Sequence, residues 1–185
     1  MTYIIFDAET TGIDPGIDGM VTCIVTINTE TEERKVFQVR EDLNEKRMLT
    51  EFWDYIKTIK FANLCGYNSS GFDLPYIIHR SIVREVYIPK FNQTDLRLVV
   101  NSFFLSYERK ITGKLSYWAA VLGIPINTAN GSEMVRLFLD KKYDEIKAHN
   151  IEDTEITFAL FKRCVKVGLI NEKGEKFSRY PNGNF

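Results

Sequence analysis

The order of predicted elements constrains the fold more than any other feature of this sequence. Short apolar runs at residues 2–6, 20–28 and 34–39 predict three strands, and the polar turn at 29–33 joins the last two as an antiparallel hairpin. A helix at 44–60, a strand at 61–67, a helix at 74–84 and a strand end at 91–95 follow. Further helices are predicted at 96–105, 115–122, 132–139, 143–148 and 151–167. This order predicts an α/β fold, a mixed sheet with three antiparallel strands and then parallel strands, flanked by helices.

The composition fits one globular domain followed by a polar tail. The 185 residues are 44% hydrophobic and 26% charged, which supplies enough apolar side chain for a sizeable core. We expect a single domain over residues 1–168, ending at a glycine C-cap, and a tail over residues 169–185. The 24 Lys and Arg against 25 Asp and Glu give a net charge of −1, so no overall basic field indicates a nucleic-acid partner. Acids elsewhere can still cancel the charge of a local basic groove.

The N-terminus and the apolar segments do not indicate secretion or membrane insertion. No basic region precedes the short apolar run before Asp7, and Gly123 and Pro125 interrupt the longest uncharged segment, residues 115–132. The three cysteines are far apart and fit neither a disulfide framework nor zinc-ligand spacing, which is typical of a reducing compartment. We therefore expect a soluble, cytoplasmic protein with no membrane partner.

Two acids follow the first predicted strand directly, in the segment Phe6-Asp7-Ala8-Glu9-Thr10-Thr11-Gly12. The strand is expected to end at Phe6, before a polar loop from Asp7 to Gly19. Residues two apart on extended backbone share a face, so the carboxylates of Asp7 and Glu9 are expected to lie together. They repel each other unless a cation or a proton lies between them. A solvated strand end is the alternative, but the buried strand before this pair and the turn after it make the pattern more specific.

A third acid, Asp73, is predicted at the start of a helix. It lies in the segment Gly66-Tyr67-Asn68-Ser69-Ser70-Gly71-Phe72-Asp73-Leu74-Pro75-Tyr76-Ile77, where a strand end and a turn of small residues precede it. Taken alone, Asp73 suits a helix N-cap, and one oxygen can cap while the other faces a site. Asp95, before the next predicted helix, is also most simply an N-cap.

A fourth acid lies on the last predicted helix, one turn after a histidine. His149 and Asp153 are four residues apart and so share a face. The same stripe continues through the apolar core residues Ile156, Leu160, Cys164 and Val167. Asp153 is therefore predicted on the buried stripe, where an unpaired carboxylate is costly, although an ordinary first-turn acid is the alternative. Glu152 and Glu155 lie off the stripe and are expected to be solvated.

Together these segments resemble the three exonuclease motifs of the DEDD superfamily, the 3′→5′ exonucleases with an RNase H-like fold. The stretch Gly-Tyr-Asn…Phe-Asp-Leu-Pro-Tyr-Ile is most similar to the proofreading exonuclease domains of B-family DNA polymerases and their stand-alone relatives. The resemblance covers roughly residues 2–168, with the motifs in the right order. It implies an RNase H-like sheet, which agrees with the element order above.

The resemblance also implies roles for individual residues. Asp7, Glu9, Asp73 and Asp153 would bind two divalent metal ions, and oxygen ligands without a Cys or His cluster favour Mg²⁺ or Mn²⁺. The implied substrate-binding residues are Thr10, Tyr67, Asn68 and Phe72. The implied reaction is hydrolysis of the terminal phosphodiester bond at the 3′ end of single-stranded DNA.

The third motif departs from both branches of the superfamily. One branch has a tyrosine with three residues between it and the final Asp, and the other has a histidine with four. His149 has three residues before Asp153, so it combines the spacing of one branch with the residue of the other. We expect His149 to be the general base.

Two other functions remain open from the sequence. An exoribonuclease would use the same acids on RNA, with DNA being the favoured substrate. A non-catalytic nucleic-acid-binding module is the alternative from another class, but four clustered carboxylates oppose phosphate binding. His79, on a predicted helix, is expected to be an ordinary surface or boundary residue.

Overall fold

The computed structural model describes residues 1–16, 18–101, 113–127 and 133–171. It contains a sheet of five strands: β1 (Tyr3–Thr10), β2 (Val21–Asn28), β3 (Arg34–Gln38), β4 (Asn63–Gly66) and β5 (Asn92–Asp95). The order across the sheet is β3-β2-β1-β4-β5. Strands β1, β2 and β3 pair antiparallel, whereas β4 is parallel to both β1 and β5. This topology confirms the predicted mixed sheet.

Helices cover both faces of the sheet. They are α1 (Glu45–Thr58), α2 (Asp73–Val83), α3 (Leu96–Asn101), α4 (Leu115–Leu122), α5 (Met134–Leu139) and α6 (Tyr143–Lys166). Helices α1 and α2 pack on one face, over a core that includes Phe52 and Trp53. Helices α3 to α6 pack on the other face, where two smaller clusters form the core. The sheet is therefore the middle of three layers.

Strand β1 runs further than the sequence indicates. Backbone pairing with β2 continues from Phe6 through Asp7 and Glu9, and its register shifts only between Glu9 and Thr10. The prediction that the strand ends at Phe6 is wrong, because strand pairing needs only the backbone and tolerates polar side chains on one face. Asp7 and Glu9 therefore belong to the central strand and not to the loop after it.

Helix α6 is one helix of 24 residues, where the sequence predicts two. The polar pair at positions 149 and 150 resembles a helix boundary, but no Gly or Pro interrupts the segment and Asn150 is fully buried. The predicted stripe is confirmed for Ile156, Leu160 and Cys164 and is wrong for Val167, which is 60% exposed at the helix end. Glu155 forms an ion pair with Arg34, and Glu152 accepts a hydrogen bond from the backbone N–H of Asn127, so neither acid is simply solvated.

Several predicted segments lie partly or wholly outside the described residues. Helix α3 ends at Asn101, and residues 102–105 of the predicted helix are among those not described. The predicted tail is described only as far as residue 171. In the described ranges, no helix combines the length and the apolar character that crossing a membrane requires.

A buried ion pair ties helices α1 and α2 to the loop between β1 and β2. Glu45 and Arg80 are almost fully buried and 2.8 Å apart, and Arg84 reaches the same carboxylate from a more exposed position. The Arg80 guanidinium also donates to the backbone carbonyls of Pro15 and Gly16, and Glu45 accepts from the backbone N–H of Val21. Side chains of α1 and α2 thus hold the loop that follows the first acidic motif.

Candidate active site

The candidate site lies at the edge where the parallel strands β1, β4 and β5 end. Successive side chains of β1 alternate between the two faces: Ile4 and Phe6 join the core under α1 and α2, while Tyr3 and Ile5 join the core under α6. Asp7 and Glu9 continue the Tyr3–Ile5 series and so point toward the α6 side. The predicted sharing of one face is confirmed.

Asp7 and Glu9 carry strongly perturbed carboxyl groups. Burial raises the pKa of Asp7 well above its usual range, and the neighbouring charges of Asp73, Glu9 and Asp153 raise it further. Burial likewise raises the pKa of Glu9, and Asp153 and Asp73 add to the rise. Each acid is therefore within electrostatic reach of the others, and the cluster is unfavourable when every member is ionised.

Asp73 is the first residue of α2 and comes from the loop after β4. Burial raises the pKa of Asp73 to about 7, while hydrogen bonds with its own backbone and with that of Ala8 oppose the rise. The N-cap residue of α2 is Phe72 and Asp73 is the first residue of the helix, so the simple N-cap alternative for Asp73 is wrong. Its side chain is 7% exposed and is turned instead toward the central strand.

Helix α6 brings His149 and Asp153 to the same place. His149 Nε2 lies 3.5 Å from Glu9 Oε1 and 3.7 Å from Asp153 Oδ2, and the histidine is 5% exposed. Burial raises the pKa of Asp153, and the adjacent His149 partly offsets that rise. The structure therefore brings all five predicted catalytic residues together: Asp7, Glu9, Asp73, His149 and Asp153.

The donor set of this cluster fits a divalent cation. Side-chain ligand atoms of Glu9, His149 and Asp153 all lie within 4.8 Å of one another. Buried carboxylates that raise each other's pKa are stabilised by a cation placed among them, and their oxygen donors suit hard ions such as Mg²⁺ and Mn²⁺. The cluster can thus hold metal and can position a water molecule against a phosphodiester.

The four predicted substrate-binding residues lie along the same edge. Thr10 ends β1, and its hydroxyl donates to the carbonyl of Gly12. Tyr67 is 7% exposed and accepts a hydrogen bond from Trp118 Nε1 through its hydroxyl. Asn68 has a left-handed backbone, with φ of 62°, and Phe72 is half-buried against Tyr76. Contact of these residues with substrate stays a prediction.

Asp95 has a larger role than sequence reasoning assigns to it. As predicted, it caps α3, because its Oδ1 accepts from the backbone N–H of Arg97 at 2.9 Å. The same carboxylate also accepts from the backbone N–H groups of Asn68 and Ser70. It thereby fixes the loop that carries Asp73. The spacing of an Asp before an apolar helix predicts the cap, but no sequence signal connects residue 95 to residues 68–70.

Sequence reasoning does not identify Arg80, which holds the loop after the first acidic motif. Arg80 is fully buried, although arginine on a helix is normally a surface residue. Its sequence signal is its position three residues after Ile77, on the apolar face of α2. The residue pattern alone does not show whether an arginine at that position is buried or exposed. His79, one residue earlier, is exposed as predicted.

Many solved structures share this fold. The family B DNA polymerase from the hyperthermophilic archaeon Pyrobaculum calidifontis matches with a TM-score of 0.74 and 19% identity, over 89% of this chain and 24% of that chain. The zinc-ion-bound E. coli ExoI–ssDNA complex matches with a TM-score of 0.63 and 15% identity, over 90% of this chain and 40% of that chain. This chain therefore spans well under half the length of either neighbour. The fold is the RNase H-like fold of exonuclease domains.

Residues 17–176 match the model of a family described as a predicted 3′-5′ exonuclease related to the exonuclease domain of PolB. Because the match covers most of the chain, the chain belongs to this family, which confirms the resemblance found from the motifs. The matched range includes Asp73, His149 and Asp153 and begins after Asp7 and Glu9. No curated protein matches the chain.

Proposed function

We propose that this protein is a metal-dependent 3′→5′ exonuclease that hydrolyses phosphodiester bonds from the 3′ end of single-stranded DNA. The observation that carries the proposal is the convergence of four acids and one histidine, from β1, α2 and α6, in a chain of this family. The neighbouring ExoI structure is described as a complex with single-stranded DNA, which supports that substrate.

In the proposed site, Asp7, Glu9, Asp73 and Asp153 hold two divalent ions, Mg²⁺ or Mn²⁺. Asp7 lies on the central strand within electrostatic reach of the other three acids, so it would help to hold the ions. When bound, the two ions stabilise the attacking and leaving oxygens of an in-line displacement. The carboxylates hold these ions in fixed positions because β1, α2 and α6 are packed elements and not loops.

His149 is proposed as the general base. Its Nε2 lies 3.5 Å from Glu9 Oε1 and 3.7 Å from Asp153 Oδ2, so the imidazole adjoins two of the acids proposed to hold metal. An imidazole is suited to accept a proton from attacking water. Thr10, Asn68 and Phe72 are proposed to contact the strand near its 3′ end, with Tyr67 completing the wall of the site.

Digestion of 5′-labelled oligonucleotides with Mg²⁺ or Mn²⁺ tests the proposal. We expect DNA to shorten stepwise from its 3′ end, a 3′-terminal phosphate to block the reaction, and closed circular single strands to stay intact. Asp7→Asn should remain folded and abolish cleavage, because one of the proposed metal ligands is lost. Asp14→Asn, on an exposed loop, is the control for a change of one charge.

Each contrary outcome identifies what is wrong. Faster shortening of RNA than of DNA would make the protein an exoribonuclease, and cleavage of circles would make it an endonuclease. Binding without degradation would favour the non-catalytic module. Degradation by Asp7→Asn at the parent rate would overturn the assignment of the acids.

A further inference from the structure

Arg97 lies at the same sheet edge as the acidic cluster. It is the second residue of α3, which follows β5 directly. Gly66, at the end of β4, pairs with Asp95, at the end of β5. The loop from β4 to Asp73 and the start of α3 therefore lie side by side, with Arg97 next to that loop.

A hydrogen-bond network fixes the Arg97 side chain. Its Nη1 donates to Asn68 Oδ1 at 2.6 Å, and Asn68 is itself held by the bond from its backbone N–H to Asp95 Oδ1 at 2.9 Å. Asp95 also accepts from the backbone N–H of Arg97. The guanidinium of this partly buried residue is thus oriented by Asn68, which Asp95 in turn holds in place.

Within the described ranges, the Arg97 guanidinium forms no ion pair. There, no carboxylate oxygen lies within ion-pair distance of its guanidinium, in contrast to Arg80, Arg34 and Arg47. Asp95 directs its two oxygens to backbone N–H groups and to the Ser70 hydroxyl. Arg97 is therefore an arginine without a carboxylate partner in the described ranges, next to the loop that leads to Asp73.

We propose that Arg97 binds a backbone phosphate of the substrate strand, with Asn68 as the residue that orients it. A phosphodiester chain that reaches the acidic cluster crosses a strongly negative edge and needs a fixed positive charge beside it. Guanidinium presents a planar set of N–H donors that matches phosphate oxygens, and one Nη of Arg97 is occupied by Asn68. This inference rests on the proposed function, because it assumes a nucleic-acid substrate.

Salt-dependent binding tests the inference. Affinity for a short 5′-fluorescein-labelled oligothymidylate is measured by anisotropy with Ca²⁺ at several KCl concentrations, and gels confirm that the oligomer stays intact. Arg97→Ala should weaken binding roughly tenfold, as expected for the loss of a hydrogen bond to a charged group. It should also reduce the slope of log K against log[KCl] by about 0.7, the value for one phosphate contact on a single strand.

Three further variants separate charge from structure. Arg97→Lys should keep the parent slope of log K against log[KCl]. Arg97→Gln should show the reduced slope expected for Arg97→Ala, although both Lys and Gln can still donate to Asn68. Arg47→Ala, which removes an exposed arginine paired with Asp42 on α1, should change neither quantity. Circular dichroism checks that each variant is folded.

The outcomes distinguish this inference from the proposed function. Parent affinity and slope in Arg97→Gln, with the parent protein binding and degrading DNA, would overturn the phosphate contact alone. Weaker binding with an unchanged slope would also overturn it, because Arg97 would then act only by holding Asn68. A parent protein that neither binds nor degrades any nucleic acid would overturn both.

Discussion

At the scale of single residues, His149 is the side chain whose removal is most informative. A general base contributes typically about 10² to 10⁴ in rate, so His149→Ala should lower turnover by that order. Binding of metal, measured by calorimetry, should change little if the carboxylates supply the ligands. His79→Ala, at the chain's other histidine, is the matched control because that residue is exposed on α2.

The identity of the residue at position 149 also tests the unusual spacing before Asp153. Tyrosine has this spacing in one branch of the superfamily, so His149→Tyr should retain more activity than His149→Ala. Rates of both variants between about pH 6 and pH 9 are compared with the parent. A parent-like rate and pH profile in His149→Ala would show that the imidazole does not take the proton.

At the scale of elements, the Glu45–Arg80 pair connects two helices to the loop after the first acidic motif. Among the described residues, Arg80→Ala leaves the buried Glu45 carboxylate with Arg84, which is 38% exposed, as its remaining cationic partner. Breaking a buried pair typically costs about 3 to 5 kcal/mol, so a loss near 3 kcal/mol in the free energy of unfolding is expected. Arg84→Ala should cost about 1 kcal/mol or less, since its side chain is 38% exposed.

Urea unfolding of both variants measures these free energies. Arg80→Ala also tests how the loop after β1 is held, because Arg80 donates to the backbone carbonyls of Pro15 and Gly16. Equal stability losses for Arg80→Ala and Arg84→Ala would contradict the view that burial gives Arg80 its importance.

Some elements and site residues could be predicted from the sequence, and others could not. The acids are predictable because their chemistry depends on residue type and on short spacings, as for Asp7 with Glu9 and His149 with Asp153. The continuation of β1 and the continuity of α6 are not, because pairing partners and packing decide where an element ends. Arg80 and Asp95 are missed or underestimated for a related reason: their partners lie more than 24 residues away in the sequence.

At the scale of the whole molecule, the acidic cluster sets the pH dependence of stability without metal. The folded-state pKa of Asp73 is about 7, above its ordinary value of 3.8, so the folded protein binds more protons than the unfolded chain between these values. Stability in EDTA should therefore fall as the pH rises through this window, by about 1.4 kcal/mol per pH unit for each carboxyl group that titrates there. Above about pH 7 the contribution of Asp73 is fully lost.

The difference in urea midpoint between the parent and Asp73→Asn, measured from about pH 4 to pH 8 in EDTA, isolates this effect. Asp73→Asn should become the more stable protein as the pH rises, and Mg²⁺ or Mn²⁺ should restore the parent, since a ligand that binds only the folded state stabilises it. A difference that does not change with pH would contradict a raised pKa at Asp73. Asp14→Asn should show no such trend.

The two outer strands of the sheet limit how copies of this protein can associate. Strand β3 is five residues long and begins with Arg34 and Lys35, and β5 is four residues long and begins with the exposed Asn92 and Gln93. Short edges with charged or polar side chains are poor templates for pairing with another sheet. Self-association by strand addition is therefore disfavoured at both edges of the described sheet.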